Sequence, residues 1–165
     1  MTEAAAVLLS AAHVAFMQRG ISISLGSCGA DHVPNLSRGI GCRIDGDRRR
    51  LTVFVSAAQS AALLADIRAN GLIAAVFSEP STHRTLQVKG RDGAIAALDD
   101  GDLRRIAFYR EAFLLEISAL GFNPTIARSL LHCPDDDITA VAFTVAEAYT
   151  QTPGPDAGAP LRADW

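Results

Sequence analysis

The spacing of apolar and polar residues changes period several times along the chain, and each change marks an element. Val7, Leu8, Val14 and Met17 recur near helical spacing between Thr2, a capping residue type, and Gly20, so a helix is expected from about Thr2 to Gln18. Beyond Gly20 the period falls to two. Ile21, Ile23 and Leu25 alternate with Ser22 and Ser24, as in a half-buried strand. A second strand is expected over Asn35 to Ile44, and Asp45-Gly46-Asp47 turns it back onto a third over Leu51 to Val55. Ser56-Ala57-Ala58-Gln59 has capping-box spacing, with a serine oxygen placed to accept an amide three residues on, and opens a helix through Ala69. Leu72 to Phe77 is an apolar run with the length of a buried strand.

His83 to Lys89 alternates again, with Leu86 and Val88 on one face and Thr85, Gln87 and Lys89 on the other. A turn at Asp92-Gly93 and a short strand over Ala94 to Leu98 follow. Leu103, Ile106, Ala107, Phe113, Leu114 and Ile117 then form the apolar stripe of a long helix from Asp99 to Leu120. Pro124 suits the first turn of a short helix through Leu131, and Ile138 to Tyr149 reads as one long strand.

These elements amount to about six strands and four helices. Connections as short as Arg91-Asp92-Gly93 require antiparallel neighbours, because a parallel pair needs a crossover of a dozen or more residues. The expected fold is therefore α+β, a small antiparallel barrel with helices packed outside it. Residues 1–152 form a single domain, and 153–165 form a tail with little to bury.

Composition narrows the function classes. With 165 residues, 49% of them hydrophobic and 20% charged, the chain can bury a core without metal or disulfide staples. Fifteen basic side chains, 14 arginines and Lys89, face 18 acidic ones for a net charge of -3, which argues against a nucleic-acid partner. No stretch approaches 18 consecutive apolar residues, so no transmembrane helix is expected. Cys28, Cys42 and Cys133 are widely spaced and form neither a disulfide framework nor a CxxC, which fits a cytoplasmic protein.

Most motif-like fragments carry little chemistry. Cys28 with His32, and His132 with Cys133, lack the geometry of a zinc site, because adjacent side chains point apart. A nucleophilic Cys28 has no histidine partner in sequence. Asp135-Asp136-Asp137 lacks the spacing of a calcium loop and reads as a solvated turn. Two features stand out. Arg38 shares parity with Leu36, Ile40, Cys42 and Ile44, which aligns a guanidinium with an apolar face, where it needs an anion or a route to water. At Val55-Ser56-Ala57-Ala58 a strand passes into a capped helix, whose free amides attract a phosphate or carboxylate.

In this order the elements resemble the pyridoxamine 5'-phosphate oxidase-like, FMN-binding split-barrel family. The likeness runs over about residues 4 to 152, through Ser37-Arg38-Gly39-Ile40-Gly41-Cys42-Arg43, the strand Leu51 to Ser56, and His83-Arg84-Thr85-Leu86-Gln87-Val88-Lys89-Gly90. It implies an antiparallel split β-barrel and an FMN-dependent oxidoreductase acting on an unidentified small molecule. By the same resemblance the protein is a homodimer with flavin at the interface. Arg38 and Arg43 with Val55 and Ser56 are then expected at the phosphate tail, and Thr85, Gln87 and Lys89 at the ring or ribityl chain.

Two departures qualify the resemblance. The family's Ser-Arg-Lys at the start of the helix after the third strand is replaced by Gln59-Ser60-Ala61. Its C-terminal Arg-Leu-x-Pro segment is replaced by Thr152-Pro153-Gly154-Pro155-Asp156-Ala157-Gly158, so pyridoxamine phosphate oxidase activity itself is not expected. The rival readings are a haem-binding split barrel, with His83 or His132 as axial ligand, and a cofactor-free binding or regulatory module.

Overall fold

A computed structural model describes residues 7–162. Four helices, α1 (Ala11–Met17), α2 (Ala61–Asn70), α3 (Asp102–Ser118) and α4 (Pro124–Leu131), flank two antiparallel sheets. The first sheet has the order β2-β1-β5-β6-β9 and comprises β1 (Ser22–Cys28), β2 (Pro34–Arg38), β5 (Ile73–Ser78), β6 (Thr85–Gly90) and β9 (Glu147–Thr150). The second has the order β3-β4-β8-β7 and comprises β3 (Cys42–Ile44), β4 (Arg50–Ser56), β7 (Ala94–Ala96) and β8 (Ile138–Thr144).

The core lies between the sheets. Ile23, Leu25, Phe77, Leu86 and Val88 of the first sheet, and Leu51, Val53, Val55, Val141 and Phe143 of the second, are fully shielded from solvent. The predicted strand alternation is realised in the first sheet. Leu86 and Val88 point inward while Thr85, Gln87 and Lys89 remain half-buried on the outside. β4, by contrast, is buried on both faces after Arg50, and it lies between β3 and β8 inside its sheet.

Among the described residues nine strands form where about six are expected, and two of the extra ones arise by division. The strand read over Asn35 to Ile44 breaks at Gly39-Ile40-Gly41. There the Gly39 amide donates to Ile23 O of the first sheet at 2.9 Å and the Ile40 amide to Phe54 O of the second at 2.8 Å. Glycine is required twice at this crossing: a Cβ at Gly39 would stand 2.6 Å from Ile23 Cγ2, and Gly41 has φ +139°. Ile138 to Tyr149 divides in the same way at Val145-Ala146, where Val145 bonds Arg49 O and Ala146 bonds Lys89 O. A local alternation pattern carries no sign that a chain changes sheets.

The leading helix is shorter than its periodicity suggests. It starts at Ala11, capped by Ser10, whose Oγ accepts the His13 amide at 3.2 Å while His13 Nδ1 accepts the Ser10 amide at 3.1 Å. Thr2, the expected cap, lies outside the described residues. Val7 and Leu9 instead donate amides to Val145 O and Arg48 O, so this stretch extends along the second sheet. The segment after Gln151 also folds back. Gly158 and Leu161 donate to Thr150 O and Ala148 O, and Leu161 packs against the core. None of the helices among the described residues is long and apolar enough to cross a membrane.

Candidate cofactor site

Strand register assembles one coherent surface from residues far apart in sequence. On the outer face of the five-stranded sheet one row runs Arg38, Ser24, Val76, Gln87, Tyr149 across all five strands. The row beside it runs Leu36, Gly26, Ala74, Lys89, Glu147. Ser22, Ser78 and Thr85 continue a third. Arg38, Thr85, Gln87 and Lys89, all expected at the cofactor, therefore share one face. Gly26, which has no side chain, and the small Ala74 line a trough of about 440 Å³ bordered by Cys28, Lys89 and Glu147, within the usual size range of small-molecule sites.

Each polar residue on that face has a definite environment. The Thr85 hydroxyl lies 2.7 Å from Ser78 Oγ and 2.9 Å from His83 O. Gln87 Oε1 accepts from Gln151 Nε2 at 3.4 Å. Lys89 Nζ sits 5.1 Å from the centre of the Tyr149 ring. Glu147 accepts from the Tyr149 hydroxyl at 2.6 Å and from Arg91 at 2.8 Å, and these two bonds hold its carboxyl below the ordinary carboxylate range.

Arg38 is different. Its guanidinium stands 5.5 Å over the Phe113 ring of α3, and its Nη1 is buried without a hydrogen-bond partner. Among the described residues no carboxylate forms an ion pair with it. Nearby Tyr109 donates its hydroxyl to Ile21 O at 2.8 Å; burial drives its phenol well above the ordinary value, with the Arg38 charge opposing. The parity argument from the sequence fails in detail, since Leu36 is 78% exposed whereas Ile40 and Cys42 are buried across the sheet crossing. Arg38 itself is half-buried, with its Nη1 shielded from solvent.

The remaining expected residues lie on the other sheet. Arg43 of β3 is held by Asp102 (Nε to Oδ1, 3.1 Å), Asp99 (3.0 Å) and Asp45 (3.3 Å), so its charge is already balanced. Val55 is fully buried in the core. Ser56 does not open α2, which begins at Ala61 behind Ser60; a turn intervenes. The Ser56 hydroxyl donates to Asp137 Oδ2, and the Ala58 amide donates to Asp137 Oδ1 at 2.9 Å.

The sequence reading missed two residues. Asp137 belongs to the acidic run that reads as a solvated turn, and Asp135 and Asp136 are indeed exposed. Asp137 alone is drawn inward, because β8 begins at the next residue with Ile138 opposite Ser56. Arg110 is the second. Its Nη2 reaches Cys133 O and Sγ at 3.3 and 3.4 Å, while its Nε is buried without a partner. The only available signal was its place one turn before Phe113.

Other candidates stay apart. His83 and His132 are both exposed, the former in the left-handed region (φ 60°) of the β5–β6 turn. Among the described residues no group of three or more His, Cys, Asp or Glu is placed to hold a metal. Burial pushes the Cys42 thiol up to about 12, so it is not a nucleophile at neutral pH.

No protein-family model matches the sequence, and no curated protein does. Solved structures do match. An F420 reductase aligns over 81% of this chain and 93% of its own with a TM-score of 0.52 and 16% identity. A tagged variant of HupZ from Group A Streptococcus aligns over 87% and 99% with a TM-score of 0.54 and 12% identity. A protein of Lactobacillus delbrueckii named for pyridoxamine 5'-phosphate oxidase aligns over 86% and 93% with a TM-score of 0.53 and 14% identity. The fold is thus that of the pyridoxamine 5'-phosphate oxidase-like split barrels, the group the sequence resembles.

Proposed function

We propose that this chain binds a flavin-type cofactor, FMN by the sequence resemblance, against the outer face of its five-stranded sheet and serves as an oxidoreductase. The observation that carries this reading is Arg38: a guanidinium with a buried, unpartnered nitrogen on the row that also holds Gln87. Desolvating a cation without a counter-ion is costly, and a ligand phosphate or other anion offsets that cost. Thr85, Gln87 and Lys89 supply polar contacts around a flat ring, and Gly26 and Ala74 leave room for it. A bound flavin supplies the electron chemistry, so the chain's task is to bind, orient and shield it. Homodimerisation belongs to the same proposal, since a second copy across this face would cover both the ring and Leu36.

A cofactor-free binding module is the second reading. It is favoured by Arg43 and Ser56, whose partners all come from the chain itself. Titration of the purified protein with FMN separates the two, with flavin absorbance and fluorescence quenching as readouts. Arg38→Ala is expected to weaken binding by about 2 kcal/mol, roughly thirtyfold, through loss of a charge-assisted contact. Failure of the wild-type protein to take up FMN defeats the flavin reading. Unchanged affinity in Arg38→Ala defeats the site assignment.

A further inference from the structure

We infer that Asp137 acts as a built-in occupant of the anion cradle at the end of β4, so that this chain selects against a ligand phosphate at Ser56. Applied to flavins, the inference rests on the reading above and specifies its ligand class: flavins without a terminal phosphate, or with an anion met by Arg38 alone.

Every donor of the cradle is already used. The Ser56 hydroxyl and the Ala58 amide take one Asp137 carboxylate oxygen each, the Ala57 amide donates to Asp137 O at 2.7 Å, and the Gln59 amide donates to Ser56 Oγ at 3.2 Å. A hydroxyl and an amide gripping two oxygens of one anionic group is the contact set a phosphate oxygen pair would use. An arriving phosphate must either expel the carboxylate or lie against it, where like charges repel. The cations that could offset that repulsion are absent from the following turn, Gln59-Ser60-Ala61. The carboxylate is also held in place from its own side. Ile138 pairs with Ser56 in the β4–β8 ladder, which fixes Asp137 one residue before the register begins.

The test compares FMN with riboflavin, which differ only in the phosphate. In the wild-type background Ser56→Ala is expected to leave the ratio of the two affinities unchanged. Asp137→Ala frees the donors and is expected to tighten FMN at least tenfold with riboflavin unaltered, and adding Ser56→Ala should cancel that gain. A wild-type FMN preference lost in Ser56→Ala, or no FMN-selective gain in Asp137→Ala, overturns the inference. Asp137→Asn, which keeps the side-chain size, is read by the same criteria where Asp137→Ala does not fold.

If wild type takes up neither flavin, the proposed function fails while the cradle stays testable with inorganic phosphate. Phosphorus NMR line broadening should then appear with Asp137→Ala or Asp137→Asn and not with wild type. Equal broadening in both, or none in the variants, overturns the inference.

Discussion

Arg38 and Arg43 stand five residues apart, both near strand ends, and both are expected at the phosphate tail by the family resemblance. The sheet crossing at Gly39-Ile40-Gly41 separates them completely. Arg38 stays on the five-stranded sheet, over an aromatic ring and without an anion. Arg43 passes to the four-stranded sheet and meets three carboxylates, one of which, Asp102, is fully buried. Asp102 also accepts the Asp99 amide at 2.8 Å and lies 3.4 Å from Arg105, so Arg43 ties β3 to the start of α3. An arginine whose needs are met within the chain is a structural element. One whose needs are unmet is the better candidate for ligand recognition.

The largest expected effect tests that contrast directly. Arg43→Met leaves the buried Asp102 carboxylate with weakened compensation and should cost about 3 kcal/mol or more of stability. Arg38→Met removes a guanidinium that has no carboxylate partner among the described residues and keeps its packing on Phe113, so in the absence of ligand it should be neutral or stabilising, within about 1 kcal/mol. Urea unfolding at constant m-value reads both. Equal losses from the two substitutions would mean that Arg38 has a structural partner after all, and its assignment to a ligand would fall.

A second, intermediate effect bears on what Asp102 contributes. Asp102→Asn keeps the shape and the acceptor for the Asp99 amide but removes the charge that faces Arg43. It should destabilise by about 2 kcal/mol, less than Arg43→Met, because Asp99 and Asp45 still face the guanidinium from the more exposed side. A loss as large as that of Arg43→Met would place the whole interaction on the one buried carboxylate.

The parts of the fold legible in sequence are those set by local rules. Asp45-Gly46-Asp47 produces the β3–β4 hairpin, and Pro124 starts α4 behind its Asn123 cap. The alternation of Thr85 to Lys89 identifies the outer face of β6. That Arg38 joins this face follows from pairings with β1, β5 and β6, whose registers no local pattern encodes. The neutralisation of Arg43 depends largely on Asp102, the first residue of α3 and 59 positions away, and on Asp99 just before that helix. Asp137 was hidden for the same reason. A run of three aspartates reads as solvated unless it is known that β8 delivers the last of them to Ser56. Residue type and period forecast most elements in outline; which donors remain free for a ligand is decided by tertiary pairing.

The smallest expected effect concerns how the Arg38 strand is anchored. β2 is the edge of its sheet, and Asp66 of α2 holds it by accepting from Asn35 Nδ2 at 2.8 Å and from Ser27 Oγ at 2.7 Å. These two bonds lower the Asp66 pKa, the one to Asn35 contributing most. A carboxyl with a depressed folded-state pKa adds stability that is fully present above its unfolded value, about 3.9, and is lost as pH falls through the folded value. The stability difference between wild type and Asp66→Asn should therefore be constant from neutral pH down to about pH 4 and shrink below it. Arg43 and its carboxylates are unchanged in both proteins, so their acid sensitivity cancels in the difference. A difference that is already shrinking above pH 5, or that does not change on acidification, would remove Asp66 as the anchor of the strand that presents Arg38.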